Sequence, residues 1–131
     1  MKDIKGKVVA LTGASSGIGR ALANILLGEG CHLALADKNM PGLEETLQLL
    51  KANHDGKFMP RVTLQQLDVS EQQSVLRWAD DVVSEHGHVD IVINNAGVSS
   101  VGSIEETSFE EFDWVFDIVF YGVLYGCKAF L

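Results

Sequence analysis

Cysteine is nearly missing from this chain: Cys31 and Cys127 stand far apart and form no CxxC pair. Two such thiols cannot build a disulfide framework, so both read as reduced residues in packed helices or strand ends. Basic residues are also scarce, with 10 Lys and Arg against 18 Asp and Glu and a net charge of −8. No block of Lys or Arg interrupts that acidic balance, which repels a phosphodiester backbone and an anionic lipid surface; nucleic acid and membrane are not expected partners. No apolar run reaches the roughly 20 residues of a membrane span, and MKDIKGKVVALTG has no basic segment ahead of an apolar one. The expected address is the cytoplasm. Internal repeats, low-complexity segments and long linkers are lacking as well. The 131 residues, 47% hydrophobic and 21% charged, suit one soluble domain over residues 1–131. The histidines carry no metal signature: His86 and His88 flank a glycine without a third ligand at suitable spacing, and His32 and His54 belong to no motif. No metal is expected. Trp78 and Trp114 read as packing residues rather than base-stacking platforms.

Short aliphatic runs alternate with stretches of helical period, the pattern of βαβ units around a parallel sheet. Val8 to Thr12 is the first strand, and residues 17 to 29 follow as a helix with Ile18, Leu22, Ile25 and Leu26 at helical spacing. Leu33 to Ala36, closed by Asp37, is the second strand. Pro41 opens the next helix, whose Leu43, Leu47 and Leu50 share a face, and NHDG at residues 53–56 ends it. Val62 to Val69 is a third strand, more polar and suited to an edge. Ser70 with Gln73 has the spacing of a capping box, and Val75, Ala79, Val82 and Val83 form the buried stripe of the helix that follows. HGHVD leads to the fourth strand, Ile91 to Asn94. A second capping box, Ser108 with Glu111, opens a terminal helix with Phe109, Phe112, Phe116, Val119 and Val123 on one face. Because Trp114, Ile118, Phe120, Tyr121, Leu124 and Tyr125 fall elsewhere on its circumference, this helix should be covered on more than one side.

The chemistry lies in LTGASSGIGR, residues 11–20. Gly13 lets the chain leave the strand sharply, Gly17 lets a pyrophosphate approach the backbone, and Gly19 lets the helix pack closely. The helix behind them offers free N–H groups and a partial positive charge to phosphates. Asp37, at the end of the second strand, can accept both hydroxyls of an adenosine ribose and would repel a 2′-phosphate. NAD is therefore expected over NADP, with Lys38 beside Asp37 as the one opposing feature.

The T-G-x-x-x-G-x-G spacing, the strand-end Asp37, the pair Asp68-Val69 and N-N-A-G at residues 94–97 together resemble the short-chain dehydrogenase/reductase family over nearly the whole chain. The resemblance implies a Rossmann-like, doubly wound α/β fold, here with four parallel strands in order 3-2-1-4, flanking helices and strand four at an open edge. It implies that Gly13, Ser15, Ser16, Gly17, Ile18 and Gly19 hold the pyrophosphate, that Asp37 takes the ribose, and that Asp68 and Val69 contact adenine. Asn95, Ala96 and Gly97 are implied to stabilise the sheet and border the nicotinamide ribose. Catalysis in the family needs a Ser after a fifth strand and a Tyr-x-x-x-Lys on the next helix. This chain holds neither, since Tyr121 and Tyr125 are its only tyrosines and no Lys stands four residues after either. In F-D-I-V-F-Y-G, Val119 occupies the position of an Asn that supports a water relay in the family.

No catalytic residue is assigned on this reading. The expected function is dinucleotide binding by a truncated oxidoreductase-type domain, inactive alone. Two others compete with it: an NAD(P)-dependent oxidoreductase of alcohols or ketones completed by another chain, and an interaction protein that has lost its ligand. A homo-oligomer joined through the terminal helix is the expected assembly.

Overall fold

The computed structural model describes residues 3–54 and 58–131. Asp55 and Gly56 of the expected NHDG turn therefore lie outside the described residues. Four parallel strands, β1 (Val8–Thr12), β2 (His32–Asp37), β3 (Val62–Gln66) and β4 (Ile91–Ile93), form one sheet in the order β3-β2-β1-β4. This is the topology the family resemblance implies. Every residue of β1 is buried, as a strand covered by helices on both faces must be.

The two sheet faces use alternate residues of the same strands. Val9, Leu11, Leu33 and Leu35 pack with Ala23, Leu27, Leu43 and Leu50 on one side. On the other, the smaller Ala10, Ala34 and Ala36 leave room for Val75, Trp78 and Val82, with Tyr125 and Phe130 against them. Trp78 meets Phe130 edge-on, with ring centroids 5.3 Å apart.

Two strands end earlier than their apolar runs suggest, because side chains pull the backbone out of the ladder. After β3, Leu67 N–H still reaches Asp37 O at 2.9 Å, but the Asp68 carboxylate then accepts from the Ser70 amide and hydroxyl and curls the chain. After β4, the amides of Asn95 and Ala96 turn to the Thr12 hydroxyl.

Helix α1 (Gly17–Gly28) buries Gly19, Ala23 and Leu27. The expected stripe is corrected here: Ile18 and Ile25 are exposed, and Leu22 and Leu26 are only half-buried. Small residues let the helix approach the sheet, and a hydrophobic pattern gives them little weight. In α2 (Met40–Asn53), the Asn39 side chain caps the Gly42 amide at 3.0 Å, and Leu43, Thr46 and Leu50 are buried. Helix α3 (Gln72–His86) lacks the expected Ser70 cap. Glu71 is the N-cap residue, and the Ser70 hydroxyl is spent on Asp68 at 2.6 Å. Its buried stripe contains Trp78 in place of Val83, which faces solvent.

The terminal segment differs most from expectation. Helix α4 (Phe109–Phe116) passes through a π-helical turn, Asp117–Tyr121, into α5 (Gly122–Ala129). Ser108 caps the Glu111 amide at 3.1 Å, while the Glu111 carboxylate accepts from the Ser100 hydroxyl instead of closing the box. A π turn carries more residues than an α turn and so rotates the face that follows it. Gly122 and Gly126 are buried beyond the turn while Val123 is exposed; Phe109 and Phe116 in α4 and Val119 within the turn are exposed as well. A Cβ on Gly122 would stand 2.8 Å from Val69 Cγ2, and one on Gly126 only 2.1 Å from Asn94 Oδ1. Glycines, not phenylalanines, mark the inward face.

Candidate functional site

A cleft of about 430 Å³ opens at the C-terminal ends of the strands, where ligands sit in open parallel sheets. Gly13, Ser15, Ser16, Gly17, Ile18, Asp37, Asp68, Val69, Asn95, Ala96 and Gly97 all line it. The remaining expected residue, Gly19, lies buried beneath the loop. One concave surface thus gathers residues that the sequence scatters from position 13 to position 97.

The loop over α1 is shaped by two glycines with positive φ, Gly13 at 71° and Gly17 at 52°. A Cβ on Gly17 would meet nothing within 4 Å, so the backbone there lies open to a neighbour. Ser16 precedes the helix in an extended conformation and its side chain makes no cap. The first amides of α1 therefore keep donors that suit an anion.

Asp37 closes β2 with its carboxylate fixed from two sides. Oδ2 accepts from Ser15 N–H at 3.2 Å and Oδ1 from Asn39 N–H at 2.9 Å. A carboxylate has about four acceptor sites, so capacity remains for a ligand's hydroxyls. Asp68 lines the same cleft. Partial burial works to raise its pKa, but the Ser70 hydroxyl and amide and the Lys38 ammonium outweigh that effect and hold the carboxyl below its ordinary range. Lys38 Nζ lies 3.6 Å from Asp68 Oδ2, so its charge is directed to Asp68.

Several supporting residues escaped the sequence reading. Thr12 reads as a strand former, yet its hydroxyl oxygen accepts from both Asn95 N–H and Ala96 N–H at 3.1 Å. The Asn95 side-chain amide returns to Thr12 O and Gly13 O at 3.2 Å, locking the loop after β4 onto β1. Arg20, to which the sequence assigns no role, donates from its guanidinium to Ser15 O, Gly42 O and Thr46 Oγ1 and ties the glycine loop to α2. Thr46 is fully buried and donates to Ala14 O at 2.8 Å. Leu67, Val98 and Ile118 complete the apolar lining. Ile118 is thus corrected from an outer position to a wall of the cleft. A hydroxyl at the end of an apolar strand was the one sequence signal for this support.

The Thr12 hydroxyl accepts from two amides, so Thr12→Val should cost about 2 kcal/mol, while Thr12→Ser keeps the acceptor and most of the stability. Urea unfolding followed by circular dichroism checks this. Equal midpoints for wild type and Thr12→Val would show that the junction is held by other contacts.

A family model described as short chain dehydrogenase matches residues 7–131. The oxidoreductase SadH of Mycobacterium tuberculosis is 41% identical over all 131 residues, which correspond to 46% of its length. Among solved structures, a short-chain dehydrogenase/reductase from Burkholderia phymatum in complex with NAD superposes with a TM-score of 0.90 at 36% identity, covering 99% of this chain and 44% of that one. An alcohol dehydrogenase from Thermococcus sibiricus complexed with 5-hydroxy-NADP gives 0.88 at 36% identity, covering 96% and 52%. The chain spans about half the length of these relatives. With a family match over nearly all its residues and the strand order and cleft described above, the chain belongs to the short-chain dehydrogenase family.

Proposed function

We propose that the chain binds NAD in this cleft, chiefly through the adenosine and pyrophosphate. The observation that carries the reading is the meeting, in one cleft, of the uncapped N-terminus of α1 and the Asp37 carboxylate. Gly13, Ser15, Ser16, Gly17 and Ile18 would cradle the pyrophosphate, with Gly19 letting the loop settle on the helix. Asp37 would accept the adenosine ribose hydroxyls, and Asp68 and Val69 would meet adenine. Asn95, Ala96 and Gly97 would border the nicotinamide ribose. A 2′-phosphate would face Asp37 while the Lys38 ammonium, also in the cleft lining, is paired with Asp68, which favours NAD over NADP.

When bound, the dinucleotide supplies a hydride acceptor or donor. The cleft residues would orient it, and the Tyr-x-x-x-Lys pair that serves the family as proton donor does not occur in this sequence. Tyr121 and Tyr125 stack on each other with centroids 5.9 Å apart, and Val119 gives the π turn a hydrocarbon where the family pattern has an amide. These residues alone are therefore read as a binding domain without hydride transfer. Their coverage of about half the length of SadH favours a second reading, in which further residues outside these 131 complete an oxidoreductase of alcohols or ketones. A cytoplasmic address accords with two free thiols, Cys31 buried and Cys127 exposed. The exposed aromatics of the terminal segment support a homo-oligomer joined there.

Isothermal titration of the 131-residue chain should show heat with NAD and less with NADP. Asp37→Ala should weaken NAD binding by about 1.5 to 3 kcal/mol, the range for charge-assisted hydrogen bonds. Unchanged affinity in Asp37→Ala would place the adenosine elsewhere. No heat at millimolar dinucleotide would favour an interaction protein instead.

A further inference from the structure

The start of the edge strand β3 is held by two imidazoles. Arg61, immediately before β3, donates its backbone N–H to His32 Nδ1 at 2.9 Å, and Thr63 Oγ1 lies 2.8 Å from His86 Nε2. Both contacts lie at the N-terminal ends of the strands, the pole opposite the dinucleotide cleft. An amide N–H can only donate, so Nδ1 of His32 must be free of a proton for its bond to exist. We infer that His32 and His86 form a pH-sensitive latch at the beginning of β3: acidification removes the Nδ1 acceptor that pins it to β2 and, although the Thr63 hydroxyl can still accept from a protonated His86 Nε2, sets a second cation against Arg61 beside α3.

The surroundings oppose a second cation at this pole. His86 faces the Arg61 guanidinium, His32 and His88, with Glu85, among the described residues, acting the other way. Burial first, and then the positive charge of Arg61, hold the His86 pKa below the ordinary histidine value. Lys5 and His54 share the adjoining cavity with His32, and the Arg61 guanidinium donates to the Glu85 carbonyl. His88 is paired with Asp90 at 3.0 Å, and Asp90 also accepts the Val8 amide at 2.8 Å, so that carboxylate is engaged away from β3.

The direction of the effect follows from proton linkage. His86 binds its proton less readily folded than unfolded, so the stability it contributes is present above the ordinary histidine pKa and is lost as pH falls toward the folded value. Protonation of His32 removes an acceptor from the first rung beside β3, and protonation of His86 places a cation against Arg61. Because β3 leads into Leu67, Asp68 and Val69, opening would also reach one wall of the cleft. Only that last consequence rests on the proposed dinucleotide site; the latch itself does not.

Hydrogen exchange of the 131-residue chain, corrected for intrinsic rates, tests the latch directly and needs no ligand. Between pH 7.5 and 5.5, protection of the amides of residues 61–63 should fall roughly tenfold, the equivalent of about 1.4 kcal/mol, while that of Val9 to Leu11 in β1 holds. In the double variant His32→Asn with His86→Gln, non-titrating amide groups take over both contacts and the pH dependence at β3 should flatten. Protection at β3 that is independent of pH, that falls equally in β1, or that falls as steeply in the double variant overturns the proposal. His32 is only half-buried, so His32→Asn alone serves if the double variant does not fold. An unchanged β3 profile in that single variant overturns the proposal equally.

Discussion

Gly19→Ala is expected to lower the melting temperature by roughly 10 °C or more and to abolish dinucleotide binding with it. A Cβ at this position would stand 1.9 Å from Gly13 O and 2.8 Å from Asn95 Nδ2. Neither neighbour has room to yield. Gly13 O accepts from the Asn95 side chain, and Asn95 is in turn anchored to Thr12. One methyl group therefore has to separate α1 from both the loop above it and the junction after β4, a cost of at least about 3 kcal/mol. Gly17→Ala provides the contrast. Its Cβ would enter open space, and only the positive φ of 52° opposes it, a strain of about 1–2 kcal/mol. Differential scanning calorimetry beside NAD titration separates the two: Gly19→Ala should lose stability and binding together, while Gly17→Ala should lose binding far out of proportion to stability. A wild-type melting temperature for Gly19→Ala would mean that the loop does not rest on α1 as described.

The sheet was legible because its signal is local and redundant. β1 and β2 are continuous apolar runs followed by glycine or Asp, and burial on both faces demands such composition. The cleft residues were legible for a related reason. Asp37, Asp68 and Asn95 sit at or just beyond the C-terminal ends of β2, β3 and β4, so a correct strand reading and a parallel topology bring them together without knowledge of any side-chain contact.

Features that rest on long-range hydrogen bonds or backbone irregularity were not legible. Thr12 and Asn95 are 83 positions apart, and no periodicity connects them. Ser70 has the spacing of a cap, but the Asp68 carboxylate two residues earlier competes for its hydroxyl and wins. From Asp117 onward the face of the terminal helix was misread because projecting 3.6 residues per turn through Asp117–Tyr121 accumulates an error at the π turn. The same projection counts Gly122 and Gly126 as neutral, although their lack of a side chain is what brings the helix against Val69 and Asn94.

The corrected face changes the residues expected to join two copies of the chain, while the demand for a partner remains. Trp114, Phe116, Phe120 and Leu124 are 46%, 58%, 56% and 41% exposed, and Phe120, Tyr121 and Tyr125 form a connected aromatic row. Large contiguous apolar patches are uncommon on monomers. A two-fold contact through this segment would pair the same residues from each copy and close on itself. If it removed about 800 Å² of apolar area from water, the gain would be about 20 kcal/mol at 25 cal/mol per Å², against association costs of about 4 to 15 kcal/mol. Light scattering at about 100 μM should therefore give the mass of a dimer or larger species. Phe120→Asp combined with Leu124→Asp should dissociate or precipitate it. Ile118→Asp is the wrong probe of the interface, because Ile118 lines the cleft and its replacement should act on ligand binding first. Glu105→Lys, in the exposed stretch before α4, should leave the mass unchanged. A monomer with no dye-detectable apolar surface would remove the premise, and a monomer that binds dye strongly would show that a second copy is not what covers these aromatics.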